Sequence, residues 1–162
     1  MRHTISVLVE NKFGVLARVA GLFSGRGYNI ESLSVAPTID PDTSHMTIVT
    51  RGEDRVIEQV IKQLNKLVDV IKVSDLTAKN FVEREMVLIK VSSEDEKRSE
   101  VLRVVDIFRG RIIDMSNKGF IIEVTGTEDK INAMLTLLKP LGLKEIARTG
   151  FVAMMRTDHV QK

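Results

Sequence analysis

The chain has 162 residues, 43% of them hydrophobic and 28% charged, and its 24 basic and 22 acidic residues leave a formal net charge of +2. That length suits one ordinary domain or two small ones and excludes a nucleotide-binding domain joined to a separate catalytic domain. Near-neutrality removes any global field toward nucleic acid or anionic lipid. With no cysteine, disulfide scaffolds, iron–sulfur clusters, thiol catalysis and thiolate zinc sites are excluded. Only 4% of residues are aromatic and none is Trp, which disfavours base-stacking platforms and carbohydrate-binding faces. The apolar residues before Glu10 are too few for a signal peptide, and no run reaches transmembrane length. A cytoplasmic protein without membrane contact is expected.

Ile5, Val7 and Val9 alternate as one face of a strand over residues 4–9. Val15, Leu16, Val19, Ala20, Leu22 and Phe23 then recur at helical spacing, and Arg26-Gly27 ends that helix. Residues 29–35 alternate again through Ile30, Leu33 and Val35. A loop around Pro37 and Asp40-Pro41-Asp42 leads to a third strand over 46–50. Val56, Val60, Ile61, Leu64 and Leu67 form a second helical stripe, and 70–73 a fourth strand.

The order βαββαβ then repeats. Residues 86–91 form a strand, Val101, Leu102, Val105 and Phe108 a helix ending at Arg109-Gly110, and 112–115 and 120–124 a hairpin across Asn117-Lys118-Gly119. Ile131, Met134, Leu135 and Leu138 lie on a further helix, followed by a strand-like stretch over 146–155. The expected fold class is α+β, with two tandem ferredoxin-like βαββαβ domains. Residues 1–76 form the first, 77–83 a linker and 84–162 the second.

In such a unit the right-handed crossover keeps strands one and two parallel, with strand three between them. Strand two then lies at an edge. Its only charge is Glu31, and it has none of the Lys or Pro that usually blunts an edge, which predicts pairing with a second copy. The alternative is that Pro37 and the loop after it cover the edge.

The turn after the first strand, Asn11-Lys12-Phe13-Gly14, opens a helix near Val15-Leu16 with no acidic residue in its first turn. A helix start leaves four N–H groups without partners. In the second half, Ser93 and Glu96 have capping-box spacing and Asp95 and Glu96 answer the helix dipole. The first-half start has two readings: it accepts an outside anion such as a small carboxylate, or Asn11 caps it. Geometry favours the anion. If two copies pair their second strands antiparallel, the partner's Asn29 and Ile30 reach the turn of Asn11–Gly14. Backbone N–H groups would then hold a carboxylate, the amide oxygens of Asn11 and Asn29 an ammonium, and Val15, Leu16 and Ile30 would bound a small apolar pocket. The implied ligand is a small aliphatic α-amino acid between subunits.

These segments closely resemble the small, regulatory subunit of acetolactate (acetohydroxyacid) synthase, which begins with an ACT domain. The resemblance is densest in His3-Thr4-Ile5-Ser6-Val7-Leu8-Val9-Glu10-Asn11, Gly14-Val15-Leu16-Ala17-Arg18, Leu22-Phe23, Arg26-Gly27-Tyr28-Asn29-Ile30-Glu31-Ser32-Leu33, Val35-Ala36 and Arg148-Thr149-Gly150. It implies a homodimeric, non-catalytic partner of a larger catalytic subunit that carries thiamine diphosphate, Mg and FAD, with no cofactor in this chain. The family's role is to stimulate that subunit in branched-chain amino-acid biosynthesis and to confer feedback inhibition, typically by valine. Its ligand positions carry over to Asn11, Lys12, Phe13, Gly14, Val15, Leu16, Asn29 and Ile30. The second domain is expected to contact the catalytic subunit. An ACT-type sensor of another enzyme or of a transcription factor is the alternative.

Other constellations are weak. His3, His45 and His159 lack metal-ligand spacing and read as surface or strand-end histidines. Gly21, Gly25 and Gly27 fall at a helix end, where no phosphate cradle forms. The methionines, Met154-Met155 included, read as core filling. An RNA-binding module would need exposed aromatics on its central strands, and residues 4–9 and 46–50 hold none.

Overall fold

The computed structural model describes residues 1–92 and 94–157. The chain divides into two compact units, Met1–Val82 together with Phe151 onward, and Glu83–Gly150.

In the first unit, β1 (Arg2–Glu10) leads through α1 (Val15–Ser24) to β2 (Ile30–Pro37) and β3 (Thr43–Arg51), then through α2 (Asp54–Leu64) to β4 (Val70–Asp75). The sheet order is β2-β3-β1-β4, and every neighbouring pair is antiparallel. β1 and β2 are therefore parallel with β3 between them, as the crossover rule requires. Period-two alternation places Ile5, Val7 and Val9 on one face of β1, where they meet Met46 and Ile48 of β3. Val15, Val19 and Phe23 of α1 and Ile57, Val60 and Leu64 of α2 close the core over that face. Burying each such side chain contributes about 1.5–3 kcal/mol.

The second unit repeats the plan with β5 (Phe81–Ser92), α3 (Asp95–Ile107), β6 (Arg111–Ser116), β7 (Gly119–Gly126), α4 (Glu128–Leu138) and β8 (Leu143–Arg148). Its strand order is β6-β7-β5-β8. The repeat extends to irregularities. Register shifts fall after Leu8 in β1 and after Lys90 in β5, and after Ile30 in β2 and Ile112 in β6, each pair separated by 82 positions. At the same spacing, Gly27 (φ 71°) and Arg109 (φ 55°) hold the left-handed position that ends α1 and α3. The Arg26-Gly27 and Arg109-Gly110 pairs are thus offset by one residue, and a non-glycine residue takes the strained conformation in the second unit.

Several boundaries differ from the sequence reading. Residues 81–83, expected in the linker, already belong to β5, because Phe81 and Val82 carry on its extended pattern. The stretch 146–155 is not one strand: Gly150 turns with φ 81°, separating β8 from β9 (Val152–Met155). From Phe151 the chain returns to the first unit, where Phe151 N–H donates to Ser32 Oγ (2.9 Å) and Ala153 N–H to Thr47 Oγ1 (3.2 Å). By packing, the chain from Phe151 groups with the first unit, and residues 158–162 lie outside the described residues. Ile57 and Val104 are core residues, whereas Val56 is half-buried and Leu102 exposed. Met154 and Met155 are exposed rather than core-filling: Met154 lies on the opposite face of β9 from buried Ala153, and Met155 lies on Ala153's face at the strand's open end.

Candidate functional site

The turn after β1 is fixed by its own backbone. Glu10 N–H donates to Asp69 C=O (2.8 Å) and Asn11 N–H to Asp42 C=O (2.7 Å). The side chain of Asn11 does not cap the helix. Its Nδ2 donates to Pro41 C=O at 2.9 Å, and Asn11 is exposed. The N-cap is Gly14, with φ 82° and ψ −8° and no side-chain cap bond. That left-handed conformation delays the helix to Val15, and glycine adopts it without the strain a Cβ brings.

No acidic residue lies in the first turn of α1. Among the described residues, the N–H groups of Leu16 and Ala17 make no hydrogen bond. One turn on, the Arg18 guanidinium folds back beside Gly14, where an added Cβ would lie 3.0 Å from Nη1. Arg18 also pairs with Asp69. Arg18 is not among the site residues picked out by sequence; its signal is the spacing of four from Gly14, which puts both on one helix face. Lys12 pairs with Glu10 at 2.6 Å, and that hydrogen-bonded carboxylate raises the ammonium's pKa. The two nearest acids are thus already neutralised, and the helix start presents bare N–H groups at its positive pole beside a guanidinium. Such a start can accept a carboxylate.

Of the residues singled out from sequence, Asn11, Lys12, Phe13, Gly14, Val15 and Leu16 are contiguous at this turn. Val15 is buried in the core and offers only its backbone, while Phe13 is fully exposed and Leu16 is 42% exposed. Asn29 and Ile30 lie elsewhere. Ile30 pairs with Thr50, which pairs with His3 at the start of β1, whereas Asn11 follows Glu10 at its end. Within one chain the two groups are separated by the sheet's length, roughly 25 Å. A second copy running antiparallel along β2 would bring them together.

The outer side of β2 pairs with no strand among the described residues. Its single charge, Glu31, turns back to Arg51 Nε at 2.9 Å, and Val35, Ala36 and Pro37 are exposed. The loop after Pro37 folds onto itself through Thr38, Asp40 and Thr43 and leaves the edge open.

The second unit's corresponding helix starts differently. α3 begins at Asp95 after an N-cap at Glu94, and Asp95 and Glu96 occupy its first turn. Ser93, the proposed capping-box residue, lies outside the described residues.

His3 is a strand-end residue but a buried one, with Nε2 3.2 Å from Asp54 Oδ1. His45 is half-buried, and His159 lies outside the described residues. Among the described residues, no group of three or more His, Cys, Asp or Glu side chains could hold a metal ion. No helix among them is long and apolar enough to cross a membrane.

Comparison with known proteins agrees with this architecture. Residues 5–72 match the acetohydroxyacid synthase small subunit-like ACT domain, and residues 84–157 match the family described as the small subunit of acetolactate synthase. This chain belongs to the acetolactate synthase small-subunit family. Among its relatives, the probable acetolactate synthase small subunit of Archaeoglobus fulgidus is 60% identical over 156 residues, 96% of this chain and 98% of that one. The acetolactate synthase isozyme 3 small subunit of Salmonella typhimurium is 49% identical over the full length of both chains. The crystal structure of the small subunit from Thermotoga maritima superposes with a TM-score of 0.88 at 48% identity, covering 98% of this chain and 99% of that one. The first unit is thus an ACT-type domain and the second another ferredoxin-like domain. That the matched family begins its ACT region at residue 5 puts Asn11–Leu16 and Asn29-Ile30 inside the domain that gives the family its first half.

Proposed function

We propose that this chain is the regulatory, non-catalytic subunit of an acetolactate synthase in branched-chain amino-acid biosynthesis. It stimulates a larger catalytic subunit and confers feedback inhibition by valine. Valine lies between two first-unit domains, its carboxylate on the N-terminus of α1 and its ammonium on the amide oxygens of Asn11 and the partner's Asn29. Lys12, Phe13, Gly14 and the Val15 backbone shape the turn, and Leu16 with the partner's Ile30 contacts the aliphatic side chain.

The observation that carries this reading is the uncapped, acid-free start of α1 after β1, at the end of the sheet where the open edge strand β2 also finishes. Backbone N–H groups without partners cost free energy wherever water cannot reach them, so an anion there is stabilising. A ligand held by two subunits also senses how they are set. Binding that prefers one dimer arrangement by about 1–3 kcal/mol is enough for regulation.

The test is co-purification with the candidate large subunit, followed by acetolactate formation with and without valine. Higher activity in the complex, reduced by valine, is expected. An unchanged rate on adding this chain would overturn the regulatory reading. Inhibition retained in both Asn11→Ala and Asn29→Ala would overturn the site.

A further inference from the structure

The face of the first sheet turned away from α1 and α2 carries a second hollow. β9 lies along it, tied by Ala153 N–H to Thr47 Oγ1, with Ala153 itself buried. Beyond β9 remains a cavity of about 260 Å³. Its floor is set by strand register. Ser6 of β1 lies opposite Ser74 of β4, and Leu8 lies between His45 of β3 and Lys72 of β4. Leu76, Met154 and Met155 supply apolar walls.

The chemistry of this lining is one-sided. It contains an ammonium, an imidazole and two serine hydroxyls, and no carboxylate. Ser6 Oγ and His45 Nε2 share a hydrogen bond of 2.7 Å. Lys72 forms no ion pair among the described residues, although it lies one strand from Leu8 at the cavity floor. The volume falls just below the roughly 300–1,000 Å³ of drug-sized pockets, so a ligand of a few heavy atoms fits. An α-amino acid does not suit it, because an ammonium would meet Lys72 with no acid to receive it. A carboxylate with a short aliphatic tail suits both halves of the lining.

We propose that this cavity is a binding site for short-chain aliphatic monocarboxylates, separate from the amino-acid site at α1. The carboxylate rests on Lys72 Nζ and the hydroxyls of Ser6 and Ser74, and the tail packs on Leu8, Met154 and Met155. A bound ligand touches β4 and β9 together, and so fastens the returning C-terminal strand to the first sheet.

The probe is isobutyrate, titrated into the full chain and followed by NMR at the His45 ring and at the amides of Ser6, Ser74 and Met154. Saturable shifts confined to these positions are expected, with affinity about tenfold weaker in Lys72→Gln and unchanged in Asn11→Ala. Lys72 is an exposed side chain, so its replacement leaves the fold intact, and the parent chain's shift map needs no substitution. Valine should leave these signals in place. Absence of saturation, equal affinity in Lys72→Gln, or shifts centred on residues 11–16 would each overturn the proposal.

Discussion

The starts of α1 and α3 hold equivalent places in a duplicated fold and solve the same electrostatic problem in opposite ways. At the 82-residue spacing shared by the register shifts, Gly14 corresponds to Glu96. In the second unit the helix begins two positions earlier relative to its sheet and fills its first turn with Asp95 and Glu96. In the first unit a left-handed glycine holds the helix back, and no acid occupies the turn. One end answers its own dipole, while the other leaves that answer to something outside the chain. The difference teaches that the proposed ligand site rests on what the first repeat omits.

The comparison can be broken in several places. The largest effect is expected at the edge proposed to join two copies: Val35→Lys puts an ammonium on β2 and should weaken self-association about tenfold or more, read by sedimentation. Gly14→Val places a β-branched residue at φ 82° and should cost about 1–3 kcal/mol in urea unfolding, with valine binding lost. Asn11→Ala removes the amide oxygen and should weaken valine about tenfold in calorimetry, while the fold loses only the bond to Pro41.

The sharpest version of the comparison converts one helix start into the other. Ala17→Glu puts an acid in the first turn of α1 and should stabilise the chain by about 0.3–1 kcal/mol while weakening valine binding. Stabilisation without weaker binding would separate the helix pole from the ligand. The smallest effect concerns the opposite sheet face. Burial lowers the His45 pKa from its ordinary 6.5, so the unfolded chain takes up a proton first as pH falls. This residue's stabilising contribution is complete above about pH 6.5 and is lost as pH drops toward the folded pKa, and His45→Asn should flatten that slope in thermal melts.

Much of this was written in the sequence because the signals are local. Alternation through Ile5, Val7 and Val9 and the missing acid after Gly14 depend only on neighbours in the chain, and the parallel placement of β1 and β2 follows from handedness. What escaped depends on partners far away. Asn11 has the side chain of a helix cap, but Pro41, brought close by the β2–β3 loop, takes its amide instead. Ile57 rather than Val56 joins Val60 and Leu64 in the core; both lie at helical spacing from Val60, so periodicity alone does not separate them. Arg109 gave no glycine signal for the left-handed position it holds. The return of Phe151–Met155 rests on bonds to Ser32 and Thr47, more than a hundred residues earlier, which no periodicity reports.

The central claim is that one valine site draws Asn11 from one subunit and Asn29 from the other. Mixing subunits tests it directly. Asn11→Ala and Asn29→Ala homodimers should each bind valine poorly, because every site in them lacks one amide. A mixed dimer pairs an intact turn on one subunit with an intact Asn29 on the other, so calorimetry should recover one full-affinity site per mixed dimer. If both amides belonged to sites within single chains, mixing would restore nothing, and the account of a shared site would be contradicted.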